Sequence, residues 1–299
     1  MITNALSVDV EEYYHAAVFR MGTKTGAGTN FRSRVEQSID QLLELMREGR
    51  ARATFFVLGE VAAAHPEMVR RIAAEGHEIG CHGDRHDSVD GQTPQEFRSD
   101  IRRAKARIED AVSQPVIGYR APNFSIGEEQ TWAYKILLEE GFRYDSSLYP
   151  ILHDRYGRPG APRFPHEIWR EGSQGLLEFP IATVRVLGVN LPIGGGGYLR
   201  LYPLTLTRLG IQHVNTAEER PVMIYLHPWE LDPGQPRLAM PWRYRFRHYV
   251  GLEKEAAKIA ALLDRFRFGT ARDVLQGQPH PAARALSVAP VAAGQPSSL

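Results

Sequence analysis

The chain has 299 residues, 43% hydrophobic and 24% charged, the composition of a globular protein with enough material to bury a real core in one large α/β domain or two small ones. Lys and Arg total 36 against 35 Asp and Glu, so no global basic field exists to hold nucleic acid or an anionic membrane, and nucleic acid is not an expected partner. The start, Met1 to Asp9, lacks a basic stretch followed by an apolar one, no later run reaches the length of a membrane span, and the lone Cys81 excludes an intramolecular disulfide. These features predict a cytoplasmic protein without an integral membrane segment, associated with a membrane at most through a biosynthetic complex.

Ala5 to Val10 alternates as a first strand and ends in the acidic cluster Asp9-Val10-Glu11-Glu12. A Gly/Thr-rich loop is expected over 21–30. Val35, Ile39, Leu42, Leu43 and Met46 then fall at helical spacing, with Gly49 as the stop. Thr54 to Leu58 is a short apolar strand, and Pro66 opens a helix carrying Met68, Val69 and Ile72 that Gly76 closes. His77 to Cys81 is the third strand. Thr93-Pro94-Gln95-Glu96 predicts an N-cap with proline at the first helical position. A fourth strand follows over Pro115 to Arg120, a helix over Glu128 to Glu140, and a strand over Phe142 to Asp145.

From Tyr149 to Gly175 the prolines and mixed charges predict an excursion over the surface, before a strand over Leu176 to Pro180. Gly194 to Gly197 lacks the Lys-Ser/Thr continuation of a phosphate-binding loop and reads as a flexible rim loop. A helix over Pro203 to Ala217 and a strand over Pro221 to Leu226 lead to His227. The stretch from Trp229 to Tyr249, dense in Trp, Tyr, Arg and Pro, reads as core packing or a glycan-stacking wall. A last helix covers Leu252 to Phe266. Residues 1–275 are expected to form one domain, with 229–275 as its C-terminal segment and 276–299 as a disordered tail.

Strand and helix alternate throughout, which implies parallel strands with crossover helices. Five strand ends carry polar residues: Asp9 with Glu11, His82 with His86, Arg120, Asp145 and His227. A closed (β/α) barrel gathers a site at one rim in this way. His82 and His86 alone mean little, since chance supplies roughly 0.4 pairs at that spacing. Together with a carboxylate they form an N/O ligand set for zinc or another first-row divalent ion. Cys81 reads as a small buried strand residue, and His15 and His77 as structural or surface residues.

The ordered motifs Ser7-Val8-Asp9-Val10-Glu11, Cys81-His82-Gly83-Asp84-Arg85-His86, Tyr119-Arg120-Ala121-Pro122-Asn123-Phe124, Tyr144-Asp145-Ser146-Ser147 and Tyr225-Leu226-His227-Pro228 resemble those of the polysaccharide deacetylases of carbohydrate esterase family 4. The resemblance covers roughly residues 4–270 and implies the NodB-homology fold, a deformed (β/α) barrel of about seven parallel strands. Residues 226–249 resemble the branch found with PEP-CTERM exopolysaccharide clusters. The resemblance implies one divalent metal, zinc before cobalt, nickel or manganese, held by His82 and His86. It also implies Asp9 as general base on a metal-activated water and His227 as general acid. Arg120 would orient Asp9, Asp145 would hold His227, and the Asn123 backbone N–H would serve the oxyanion.

The usual adjacent pair of aspartates is broken here by Val10. Glu11, on the same face of an extended segment as Asp9, is the available replacement ligand. The implied reaction removes N-acetyl groups from amino-sugar units of a polysaccharide or its precursor. The alternatives are a C–N hydrolase of a small cyclic amide or ureide, allantoinase-like and with or without a metal, and a catalytically silent glycan-binding protein. The glycan and the oligomeric state are left open.

Overall fold

A computed structural model describes residues 2–16, 19, 31–154, 156–238 and 240–277. The loop expected over 21–30 and nearly all of the expected tail lie outside the described residues. Strand β1 (Thr3–Val10) sets the layering through its alternation. Leu6, Val8 and Val10 pack into the layer beneath the helices, whereas Ala5, Ser7 and Asp9 face the interior of the curved sheet. Helix α1 (Val35–Glu48) buries the expected Val35, Ile39, Leu42, Leu43 and Met46 against the outer side. Strand β2 (Thr54–Val57) follows, then a short α2 (Gly59–Ala64) that the sequence reading missed, α3 (Pro66–Ala74) and β3 (Glu78–Cys81).

Helix α4 (Pro94–Val112) starts at the expected cap: Thr93 Oγ1 accepts from Glu96 N at 3.3 Å, and Glu96 Oε2 accepts from Thr93 N at 2.8 Å. Strand β4 (Gly118–Tyr119) leads to α5 (Trp132–Glu139) and β5 (Tyr144–Asp145). The excursion after Tyr149 does not stay irregular. Its end, β6 (His166–Glu171), pairs antiparallel with β7 (Gln174–Glu178), and β7 pairs parallel with β5. A second hairpin, β8 (Thr183–Val186) with β9 (Val189–Pro192), forms a separate two-stranded sheet. After α6 (Gly197–Leu201) and α7 (Leu204–Thr216) comes β10 (Met223–Leu226).

Helices α8 (Trp242–Tyr249) and α9 (Leu252–Arg265), strand β11 (Arg267–Gly269) and helix α10 (Ala271–Gln276) complete the described chain. The main sheet runs β10-β1-β2-β3-β4-β5-β7-β6, with β11 also on β1. Seven strands, β1 to β5, β7 and β10, are mutually parallel along this path, as expected of a deformed barrel. Residues 276 and 277, assigned above to a disordered tail, end α10, which buries Ala271, Val274 and Leu275 in the barrel interior.

The glycine run is not a flexible loop. Gly195 bridges Tyr225 as a strand would; Tyr225 N donates to Gly194 O at 2.6 Å, and Gly196 N to Tyr225 O at 3.0 Å. With φ +118, a Cβ on Gly195 would lie 1.8 Å from Tyr225 O. Glycine is needed there because two backbones meet, and the contact covers the open edge of β10.

Candidate active site

The C-terminal ends of the parallel strands bring Glu11, His82 and His86 together. All three are buried, and one ligand atom from each lies within 4.8 Å of the others. His82 Nδ1 donates to the Arg120 carbonyl at 2.8 Å, which fixes the tautomer and leaves Nε2 with its lone pair. Burial lowers His82 to about 4, so the ring is neutral near pH 7. His86 sits at φ 60 in the turn after β3, a left-handed conformation that a non-glycine residue adopts only where the surroundings enforce it. Buried Asp84 braces that turn by accepting from Arg103 Nε at 2.5 Å and Arg107 Nη1 at 2.8 Å.

His86 Nε2 lies 2.7 Å from Glu11 Oε2, and both side chains are buried. Burial would raise Glu11, but His86 and His227, then His15, hold it well below the usual carboxylate range. A buried, ionised carboxylate facing two imidazoles fits the donor set of zinc or a related divalent ion.

Beside this triad Asp9 is clamped. The Arg120 guanidinium lies fully buried inside the barrel, with Nη1 on Asp9 Oδ1 at 2.7 Å and Ser7 Oγ at 2.8 Å. Its Nε donates to Ser146 O at 2.9 Å and its Nη2 to Ser146 Oγ at 2.8 Å, while the Phe56 ring packs on it at 4.3 Å. Arg120 therefore pairs with Asp9.

His227 joins the same group through Nε2, 3.7 Å from Glu11 Oε1 and 4.0 Å from Asp9 Oδ2. Asp145 does not hold it. The third carboxylate near His227 is Glu230, 3.6 Å from Nδ1, and Asp145 is not within 4 Å. Burial alone would lower His227, but Glu11, Glu230 and Asp9 raise it to about 9. Glu230 is in turn fixed by Arg200 Nε at 2.9 Å and by the His227 backbone N–H at 3.0 Å. Burial would raise Glu230, but Arg200 and His227 bring it down to about 2.

Asp145 instead accepts from Ser147 Oγ at 2.6 Å and lies opposite Glu178 on β7, both fully buried. Burial pushes Asp145 up to about 6 and Glu178 well above its range, so the two share a proton near neutrality.

Trp229 is a further site residue missed in the sequence. Its Nε1 donates to Glu11 Oε1 at 3.0 Å, and its ring stacks between His227 at 5.0 Å and His248 at 4.5 Å. Part of the 229–249 segment is thus core, and part of that core is the wall behind Glu11. The one available signal was the indole N–H, which needs an acceptor when buried. His15, treated above as structural or surface, stacks against His86 with ring centroids 6.1 Å apart. His77 is structural: its Nδ1 accepts from Ala53 N at 3.1 Å. Cys81 is buried in the core and burial raises its thiol, so it supplies no thiolate ligand.

Asn123 has φ 56, and its exposed side chain donates to Ser88 Oγ at 2.8 Å. The N–H groups of Arg120, Ala121, Phe124 and Ser125 are all engaged. That of Asn123 has no partner among the described residues.

Residues 26–138 match the family model described as Polysaccharide deacetylase, and residues 146–276 match a Domain of unknown function (DUF3473). Over 137 residues the chain is 31% identical to a peptidoglycan-N-acetylglucosamine deacetylase of Bacillus cereus, covering 45% of this chain and 62% of that protein. Over 123 residues it is 35% identical to a chitooligosaccharide deacetylase of Bradyrhizobium sp., covering 41% and 54% respectively. The chain thus spans under two thirds of either relative.

Among solved structures, a candidate polysaccharide deacetylase from Mycobacterium smegmatis superposes with a TM-score of 0.58 at 20% identity, covering 99% of this chain and 96% of that one. At that identity the likeness shows the fold. Strands from both matched segments share one sheet, with β10 and β11 flanking β1. Residues 26–138 thus match the polysaccharide deacetylase family by sequence, and the fold as a whole is similar to that of a solved candidate polysaccharide deacetylase.

Proposed function

We propose that the protein is a metal-dependent hydrolase that removes N-acetyl groups from amino-sugar units of a polysaccharide or its precursor, with residues 1–275 acting as one unit. The observation that carries this reading is the convergence of the Glu11, His82 and His86 triad with Asp9 and His227 on one rim, within 4.0 Å for each contact of His227 with Asp9 and Glu11. Glu11, His82 and His86 would hold a divalent cation, zinc in this reading, which when bound would supply an acidified water and Lewis-acid polarisation. Asp9, with Oδ1 held by Arg120, presents Oδ2 to take the proton of the attacking water. Protonated His227 gives its proton to the departing amine, so that acetate and a free amino sugar result.

The uncommitted N–H of Asn123 supports the expected oxyanion role. Asp145 acts at a distance: its pair with Glu178 sits behind Ser146 and Ser147, which position Arg120 and Ala121. An exopolysaccharide or its lipid-linked precursor as substrate is supported by the motif resemblance of residues 226–249. The test is acetate release from free and lipid-linked N-acetylated glycans, alongside the metal content of the purified chain. The expected result is about one zinc per chain and deacetylation. His82→Ala abolishes both, and a His82→Ala protein that kept metal and activity would overturn the assignment.

A further inference from the structure

We propose that the outer face of α8 docks on an anionic phospholipid surface. From Pro233 to Leu252 the sequence carries Arg237, Arg243, Arg245 and Arg247 and no Asp or Glu, in a chain that as a whole has 36 basic against 35 acidic residues. The charge is local, which is why overall composition hides it. Among the described residues, Arg237, Arg243 and Arg245 make no ion pair; Arg247 alone reaches Asp154, at 3.3 Å. Between these arginines Trp242 is 72% exposed and Phe246 51% exposed.

The helix is anchored at its C-terminal end. His248 and Tyr249 are buried among Phe19, Trp229 and Leu252, and Arg200 binds the carbonyls of Arg247, His248 and Val250. The turn bearing Trp242, Arg243, Arg245 and Phe246 stands outward from that anchor. Leu152 and Leu201 are also exposed, on segments tied to α8 through Asp154 and Arg200.

The chemistry favours lipid over glycan. Residues 236–247 hold four Arg and no Asp, Glu, Asn or Gln, so the face offers cationic donors that match phosphate oxygens and few side-chain acceptors for sugar hydroxyls. Gln235, just before them, is buried and turned inward, donating to Trp229 O at 2.8 Å and meeting His248 Nε2 at 2.7 Å. Guanidinium groups beside exposed Trp and Phe match the phosphate level of a bilayer, where the rings enter the interface and the arginines take phosphate oxygens. Eight residues with two apolar anchors make a weak, salt-sensitive attachment rather than an insertion, and no helix of the described chain is long and apolar enough to cross a membrane. His248, on the same helix, stacks on the Trp229 that holds Glu11, so docking would set the rim beside the lipid surface.

The experiment is co-sedimentation of the full chain with vesicles of phosphatidylcholine alone and of phosphatidylcholine mixed with phosphatidylglycerol; it requires no turnover. Binding is expected only to the anionic vesicles and is lost in high salt. Each arginine contributes about fivefold, so Arg243→Ser with Arg245→Ser weakens binding on the order of 25-fold. Trp242→Ser also weakens it, and both variants keep the parent's thermal midpoint, because the altered side chains face solvent. Absence of binding to anionic vesicles overturns the proposal. Equal binding to both vesicle types, or a double variant that sediments like the parent, does the same. Capture by a soluble polyuronate but not by vesicles would make the face a polysaccharide site and would also overturn it.

Discussion

Replacing Trp229 with phenylalanine removes one N–H while keeping an aromatic ring in the slot between His227 and His248. The donor it deletes lies 3.0 Å from Glu11 Oε1, the oxygen opposite the one that faces His86. A hydrogen bond to a charged group contributes about 1.5–3 kcal/mol. An outer partner of a metal ligand typically accounts for about 10- to 100-fold in affinity, and the two ranges agree at roughly 1.4 kcal/mol per tenfold. Trp229→Phe should therefore weaken zinc binding by about 10- to 100-fold without changing the ligand set.

The smaller ring also leaves space between the flanking imidazoles and beneath the Arg200 guanidinium, 5.3 Å from the indole, at a cost of about 1 kcal/mol in the stability of the metal-free protein. Competition against a chromophoric chelator gives the affinity, and urea unfolding of the metal-free form gives the packing cost separately. If Trp229→Phe binds zinc as tightly as the parent while Glu11→Gln does not, the indole does not position Glu11 and the reasoning fails.

Two further predictions concern the carboxylates around Asp145 and His227. Asp145 and Glu178 have folded pKa values raised above their unfolded ones, so their contribution to stability is full below about pH 4 and is lost as pH rises through about 6 and beyond. Glu178→Gln keeps an acceptor for the Leu148 N–H and removes the second acid, so its stability should fall less between pH 5 and 9 than the parent's, by on the order of 1–3 kcal/mol. Parallel pH-dependent denaturation curves would refute the shared proton. Glu230→Gln removes an anion that raises His227, so the alkaline limb of the kcat/KM profile should move to lower pH. It also leaves Arg200 a buried, unpaired charge, at roughly 3–5 kcal/mol. Asp145→Asn should leave that limb in place; if it moves the limb and Glu230→Gln does not, Asp145 holds His227 after all.

These two carboxylates also show where reading the chain succeeds and where it stops. The alternation of β1 and the His82 and His86 turn are local patterns, and β1 and the turn form where those patterns lie. Which carboxylate meets which imidazole is not local. Asp145 faces Glu178 because the β6–β7 hairpin, hidden inside a proline-rich excursion, places β7 against β5. Glu230 reaches His227 because the chain turns back within three residues, and nothing in its spacing separates it from an ordinary helix-start glutamate. The glycine run misled for the same reason: four glycines read as freedom until Tyr225 is known to lie against them.

Val10 is the instructive departure. In the register that β1 adopts, residue 10 points into the fully buried apolar layer under the helices, where a carboxylate would be an uncompensated charge. Positions 9 and 11 are the ones that reach the rim, Glu11 through the turn that its N–H makes back to Asp9 O at 3.0 Å. A glutamate's extra methylene supplies the reach from that turn, and Trp229 supplies the constraint a longer side chain needs. The change in the first motif and the indole from the C-terminal segment are therefore two halves of one adjustment, and Trp229→Phe tests whether the first half functions without the second.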